Sequence, residues 1–131
     1  MKEELEYSLT KLRKASLKLK QGTLKAKDEL ERDGVIQRFE FTFELLWKTL
    51  KLFLRAKGME ARTPKDCFKE AFRVGWLKEE EIFAHMLEDR NKSSHVYDEA
   101  ESKEIFGRIK DQYIECLEKA LMELEKSLDE K

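Results

Sequence analysis

The chain has 131 residues and a mass of 15.6 kDa, the size of one core of about 100–150 residues, so residues 1–131 read as a single domain. Charged residues make up 42% of it, but 27 Lys and Arg against 28 Asp and Glu leave a net charge of −1, which excludes a globally basic nucleic-acid binder while leaving room for a local basic patch. One proline and five glycines among many Lys, Glu, Leu and Ala point to helices from end to end, and no apolar run approaches the roughly 20 residues of a membrane span, so a cytoplasmic all-α protein is the expectation.

Leu5, Leu9, Leu12, Ala15 and Leu19 recur at spacings of three and four, which predicts an amphipathic helix from about Lys2 to Leu30 with Gly22 as a bend inside it. A second helix is expected to begin at Asp33-Gly34. It differs in kind, because Val35, Ile36, Phe39, Phe41, Phe43, Leu45, Leu46, Trp47, Leu50, Leu52, Phe53 and Leu54 surround most of its circumference. A helix that apolar must be covered on nearly every side, and a small bundle has few helices to do it, so a homodimer joined through apolar helix faces is expected. Arg55-Ala56-Lys57-Gly58 reads as its stop. Thr63-Pro64 then reads as a cap with proline at the first helical position, opening a short helix through Cys67, Phe68, Ala71 and Phe72 to Gly75.

Ile82, Phe83, Met86 and Leu87 mark a further helix over Glu79 to Asp89, breaking near Arg90-Asn91. Ser93 and Ser94 favour a turn or cap. The last helix carries Ile105, Phe106, Ile109, Tyr113, Cys116 or Leu117, Ala120, Leu124 and Leu128 and runs almost to the end of the chain. The resulting architecture is an up-and-down four-helix bundle with one additional short helix. Cys67 and Cys116 lack any CxxC or Cys/His spacing and read as reduced, buried thiols; no metal site and no cofactor is expected.

Two histidines narrow the search for acid–base chemistry, since imidazole is the side chain that titrates near neutrality. His85, beside Met86 in a periodic helix, reads as structural or surface. His95 lies in Arg90-Asn91-Lys92-Ser93-Ser94-His95-Val96-Tyr97, a polar break that gathers a guanidinium, an amide, an ammonium, two hydroxyls, an imidazole and a phenol. An imidazole there could take the proton of a ribose 2′-OH or protonate a leaving oxygen, and Arg90 could hold phosphate oxygens bidentately, with no metal required. The bland alternative has Arg90 capping its helix, a serine capping the next, and Tyr97 packing on the core. Glu40 and Glu44, one turn apart in the most apolar helix, read either as ion-pair partners of Arg38 or Lys48 or as cleft residues, while Phe39, Phe43, Trp47 and Leu50 read as core or interface.

Arg90, His95 and Tyr97 spell Arg-x4-His-x-Tyr, which resembles the signature of the HEPN superfamily, including the toxin halves of HEPN and minimal-nucleotidyltransferase pairs. Asp33 to Lys48 is similar to the second-helix motif of the nucleotidyltransferase substrate-binding protein family, and Glu70-Ala71-Phe72, Gly75 and Met86 to Asn91 follow its later pattern. The resemblance implies a HEPN-like helical bundle that dimerises, brings the Arg-His segments of two copies to one cleft, and works beside a separate minimal nucleotidyltransferase. It implies Arg90 and His95 as the residues that act on RNA, Asn91 as the polar residue beside them, and Tyr97 as the tyrosine a partner adenylylates to silence a toxin. Lys92 and Ser94 are expected to support phosphate binding. Two functions stay open: an endoribonuclease toxin, or a non-catalytic subunit that presents a nucleotide substrate to its partner.

Overall fold

The computed structural model describes residues 1–93, 95 and 98–130. Its elements are α1 (Lys2–Lys25), α2 (Glu29–Ala56), α3 (Pro64–Arg73), α4 (Glu80–Ser93), α5 (Glu99–Arg108), a π-helical turn (Ile109–Tyr113) and α6 (Ile114–Asp129). No strand occurs among the described residues, and none of the described helices is long and apolar enough to cross a membrane. Because α5, the π turn and α6 run on without a break, four long helical rods and the short α3 make up an up-and-down bundle, as expected.

The first connection lies earlier than the sequence predicts. α1 stops at Lys25 and α2 starts at Glu29, so the chain turns beyond Gly22, where only a bend is expected, and ahead of the start expected at Asp33-Gly34. Asp28 accepts from the Glu31 amide at 2.8 Å while the Glu31 carboxylate accepts from the Asp28 amide at 3.3 Å, a reciprocal cap that satisfies the free donors of the helix end. Gly34 sits inside α2, and Gly22 serves a different purpose from bending. A Cβ at Gly22 would lie 3.1 Å from Val35 Cγ2 and 3.3 Å from Arg38 Nη1, so its lack of a side chain lets α1 and α2 approach closely.

α1 buries Leu5, Leu9, Leu12 and Leu19 against Val35, Phe39, Phe43, Leu46 and Leu50 of α2, and α6 closes on them with Leu117, Ala120, Leu121 and Leu124. The buried Ser8 and Thr49 hydroxyls between α1 and α2 lie 2.6 Å apart and pair with each other, and on the surface Arg38 Nη1 donates to the Lys18 carbonyl at 3.0 Å. The turn after α2 ends on Gly58 at φ +81°, with the Lys57 and Met59 amides both reaching the Leu54 carbonyl, which is the stop expected there. Thr63 caps α3 through its Oγ1 to the Asp66 amide at 3.1 Å, with Pro64 next, also as expected.

The apolar girdle of α2 divides into two faces. Val35, Phe39, Phe43, Leu46, Leu50 and Phe53 are buried in the core. On the opposite side Leu30 and Phe41 are 81% and 62% exposed, and Leu45 and Leu52, which continue the same stripe, are half-buried. Phe39, Phe43 and Leu50 are core residues as expected, while Trp47 is only half-buried.

Candidate functional site

α4 reaches further than its apolar pattern. Arg90, Asn91, Lys92 and Ser93, expected in a polar break, form its last helical turn. Cations are favoured at that end, where the free carbonyls and the helix dipole present negative charge, so Arg90 and Lys92 extend the helix rather than break it. The break comes after Ser93, and Asp98, not a serine, caps α5 through the Ala100 amide at 2.9 Å.

The extension aims two side chains at α2. Arg90 Nη2 donates to Glu44 Oε1 in a tight ion pair, and the Glu44 carboxylate also accepts from Trp47 Nε1 at 3.0 Å and has Lys48 Nζ 3.9 Å away. The Ser93 hydroxyl lies 2.6 Å from Glu40 Oε2 and 2.9 Å from the Arg90 carbonyl. Glu40 and Glu44 thus take Ser93 and Arg90 as partners; only Lys48 of the two cations considered stays near, and Arg38 turns to α1. Arg90 also places its guanidinium over Phe43, with Cζ 5.9 Å from the ring centroid.

Asn91 and Lys92 are exposed, and so is His95, whose amide donates to the Lys92 carbonyl at 2.8 Å. Ser94 and Tyr97, expected to support binding and to carry a modification, lie outside the described residues. His85 is on the surface. Beside Ser93 opens a cleft of about 260 Å³ lined by Glu29, Asp33, Glu40, Asp98 and Glu99. Its carboxylates make it unwelcoming to phosphate, and Arg90, Lys92 and His95 are not among the residues that line it. Asp33 accepts from Ser102 at 2.9 Å, and Glu99 has Arg32 3.7 Å away.

A second cluster, built on the residue before Arg90, is not among the sites the sequence suggests. Asp89, 3% exposed, accepts from Arg108 Nε at 2.7 Å on Oδ2 and from Nη2 at 2.8 Å on Oδ1, and the Tyr113 hydroxyl donates to Oδ2 as well. Burial first, and the Asp89 carboxylate second, push the Tyr113 phenol well above its ordinary range; the hydrogen bonds to Asp89 raise the Arg108 guanidinium. One signal could have found it. Asp89 follows Phe83 and Met86 at steps of three, so it occupies a core position of α4 where a lone charge demands a partner.

Residues 3–126 match the family described as nucleotidyltransferase substrate binding protein like, and the chain belongs to that family. It is 32% identical over 87 residues to a Haemophilus influenzae protein named as a probable ribonuclease HepT, a match that takes in 63% of this chain and 60% of that one. A crystal structure from Thermus thermophilus is similar over 92% of this chain and 98% of its own, with 35% identity and a TM-score of 0.72. A second solved structure, from Haemophilus influenzae and described as having the fold of a substrate binding domain of a nucleotidyltransferase, shares the fold at a TM-score of 0.68 and 21% identity over 95% of this chain and 99% of its own.

Proposed function

We propose that this protein is the HEPN-like partner of a minimal nucleotidyltransferase in a two-component, toxin–antitoxin type system, and that it acts as an endoribonuclease through Arg90 and His95 in a homodimer. The observation that carries this reading is the state of Arg90. Its side chain is 38% exposed and held by a single carboxylate, that of Glu44, which an incoming phosphate can replace. His95 stands exposed just beyond it, and the likeness to a probable ribonuclease HepT supplies the reaction class.

In that reaction the ribose 2′-oxygen attacks the adjacent phosphorus and the bond to the 5′-oxygen breaks, leaving a 2′,3′-cyclic phosphate and a 5′-hydroxyl. One neutral imidazole takes the 2′-OH proton, and a second, protonated one gives its proton to the departing oxygen. Arg90 balances the charge that builds on the phosphate oxygens. A pair of chains supplies both imidazoles, and the uncovered stripe of Leu30, Phe41, Leu45 and Leu52 supplies the surface for pairing. We assign Tyr97 the regulatory role: transfer of AMP from ATP to its phenol oxygen, with release of pyrophosphate, by the partner. Asn91, Lys92 and Ser94 would support the bound phosphate.

The test is cleavage of RNA by the purified protein in excess EDTA. Wild type is expected to cut, and His95→Ala and Arg90→Ala to lose about 10²–10⁴-fold in rate. Cleavage undiminished in His95→Ala overturns the assignment. A second reading, a non-catalytic subunit of a nucleotidyltransferase complex, is favoured by one observation: the acidic cleft suits a cationic protein surface better than RNA. It would hold if the protein cuts no RNA yet co-purifies with a small nucleotidyltransferase in a salt-sensitive complex that Glu29→Gln and Glu99→Gln weaken.

A further inference from the structure

Asp89 immediately precedes Arg90, and the buried cluster around it is costly to maintain. An ion pair in such a place is seldom the most stabilising way to fill the space, because apolar side chains of similar volume do as well or better. A fully satisfied one does fix direction. Asp89 has both oxygens engaged, Arg108 presents its two-pronged fork, and the Tyr113 ring is 0% exposed and stacked on Phe39 with centroids 5.5 Å apart.

The helix is locally wound wider where this cluster forms. Arg108 and Tyr113 are five residues apart, and in a regular α-helix such residues point about 140° away from each other. The π turn Ile109–Tyr113 closes with the Ile114 amide on the Ile109 carbonyl, five residues back, and so brings both side chains to one face and one carboxylate. Turns of this kind are rare inside α-helices and concentrate at functional sites.

Arg90 needs an external guide. Of its donors, Nη2 is tied to Glu44, whereas Nε is buried and without a hydrogen-bond partner among the described residues. One tethered nitrogen and a ring centroid 5.9 Å away at Phe43 hold the plane of a guanidinium loosely, so its direction depends on the backbone beneath it. We propose that Asp89, Arg108 and Tyr113 are positioning residues that lock the last turns of α4 in the rotation that sends Arg90 across to Glu44 and Ser93 to Glu40. The consequence for catalysis rests on the ribonuclease reading, but the positioning itself can be measured without it.

The experiment follows the Arg90 Nε–Hε resonance in protein labelled with 15N-arginine, assigned by its loss in Arg90→Lys. Tyr113→Phe keeps the ring stack and removes one hydroxyl; Arg108→Lys keeps the charge and removes the fork, and serves as the second variant should the first not fold. In a folded variant the line is expected to move toward the position of solvent-exposed arginine and its hydrogen exchange to quicken by about tenfold or more. RNA cleavage should fall about 10–100-fold in kcat with KM within about twofold, the split produced by misplacing a group that acts in the transition state. A folded variant whose Arg90 line and exchange are unchanged overturns the proposal, even if its melting temperature falls. Absence of cleavage by wild type counts against the ribonuclease reading alone, and the resonance then decides the positioning.

Discussion

The buried thiols carry a pH dependence of their own. Burial pushes Cys67 from its ordinary 9.0 up to about 11, and burial together with the Glu79 carboxylate pushes Cys116 up to about 12. A thiol whose folded pKa is raised leaves stability untouched below the unfolded value and withdraws it as pH climbs from about 9 toward the folded value, because only the unfolded chain then releases the proton. The urea midpoint should therefore hold level with respect to these groups up to pH 9 and drop beyond it, by about 1 kcal/mol per thiol at pH 10. The Tyr113 phenol, raised in the same sense, adds to the fall, and a Cys67→Ala, Cys116→Ala double variant should flatten the part due to sulfur. Neither thiol should react with an alkylating reagent at pH 8 in the native state, since the thiolate is the nucleophile and both side chains are buried.

At the scale of elements, the ends of helices decide where the site sits. The Asp28–Glu31 cap starts α2 early enough that Glu29 and Asp33 belong to the helix and line the cleft. Asp28→Ala leaves orphaned amides at that end and should cost about 1 kcal/mol, read as a loss of about 4 °C in Tm, with the core contacts of Val35 and Phe39 unaffected. At the other end, α4 persists through Ser93 because its last turn is basic, and that persistence turns Arg90 and Ser93 toward α2 instead of into a loop. The same rule of helix termini thus places both the acidic wall of the cleft and the basic last turn of α4.

For the whole molecule the unanswered demand is the outer face of α2. Leu30 and Phe41 stand in solvent on the side opposite the core, with Leu45 and Leu52 half-covered, and Glu40 and Glu44 flank that stripe. Two copies joined there would set both Arg90 side chains beside the seam. Sedimentation should find a dimer at micromolar concentration, and Phe41→Glu, which puts a charge at the centre of the contact, should weaken it about a hundredfold or more while leaving the helical content unchanged. A monomeric wild type at those concentrations would remove the two-imidazole arrangement from the proposed reaction.

How much was legible follows from the range of each interaction. Helical composition, the three- and four-residue stripes, the Thr63-Pro64 start and the Gly58 stop are local, so the sequence by itself determined an all-helical bundle and its family, while it offered the segment around Arg90 and His95 as a candidate site and misplaced the end of α4 there. The Asp28–Glu31 cap was local too and readable, but the stripe of Leu19 to Leu30 masked it. Tertiary structure alone decided which face of α2 enters the core, that Glu44 and Glu40 are the partners of Arg90 and Ser93 across 46 and 53 residues of chain, and that Asp89 is answered by Arg108 and Tyr113. Those pairings join residues far apart in sequence, and the last depends on a helix gaining one residue in a single turn; no periodicity in the sequence encodes either, because both arise only when the helices are packed.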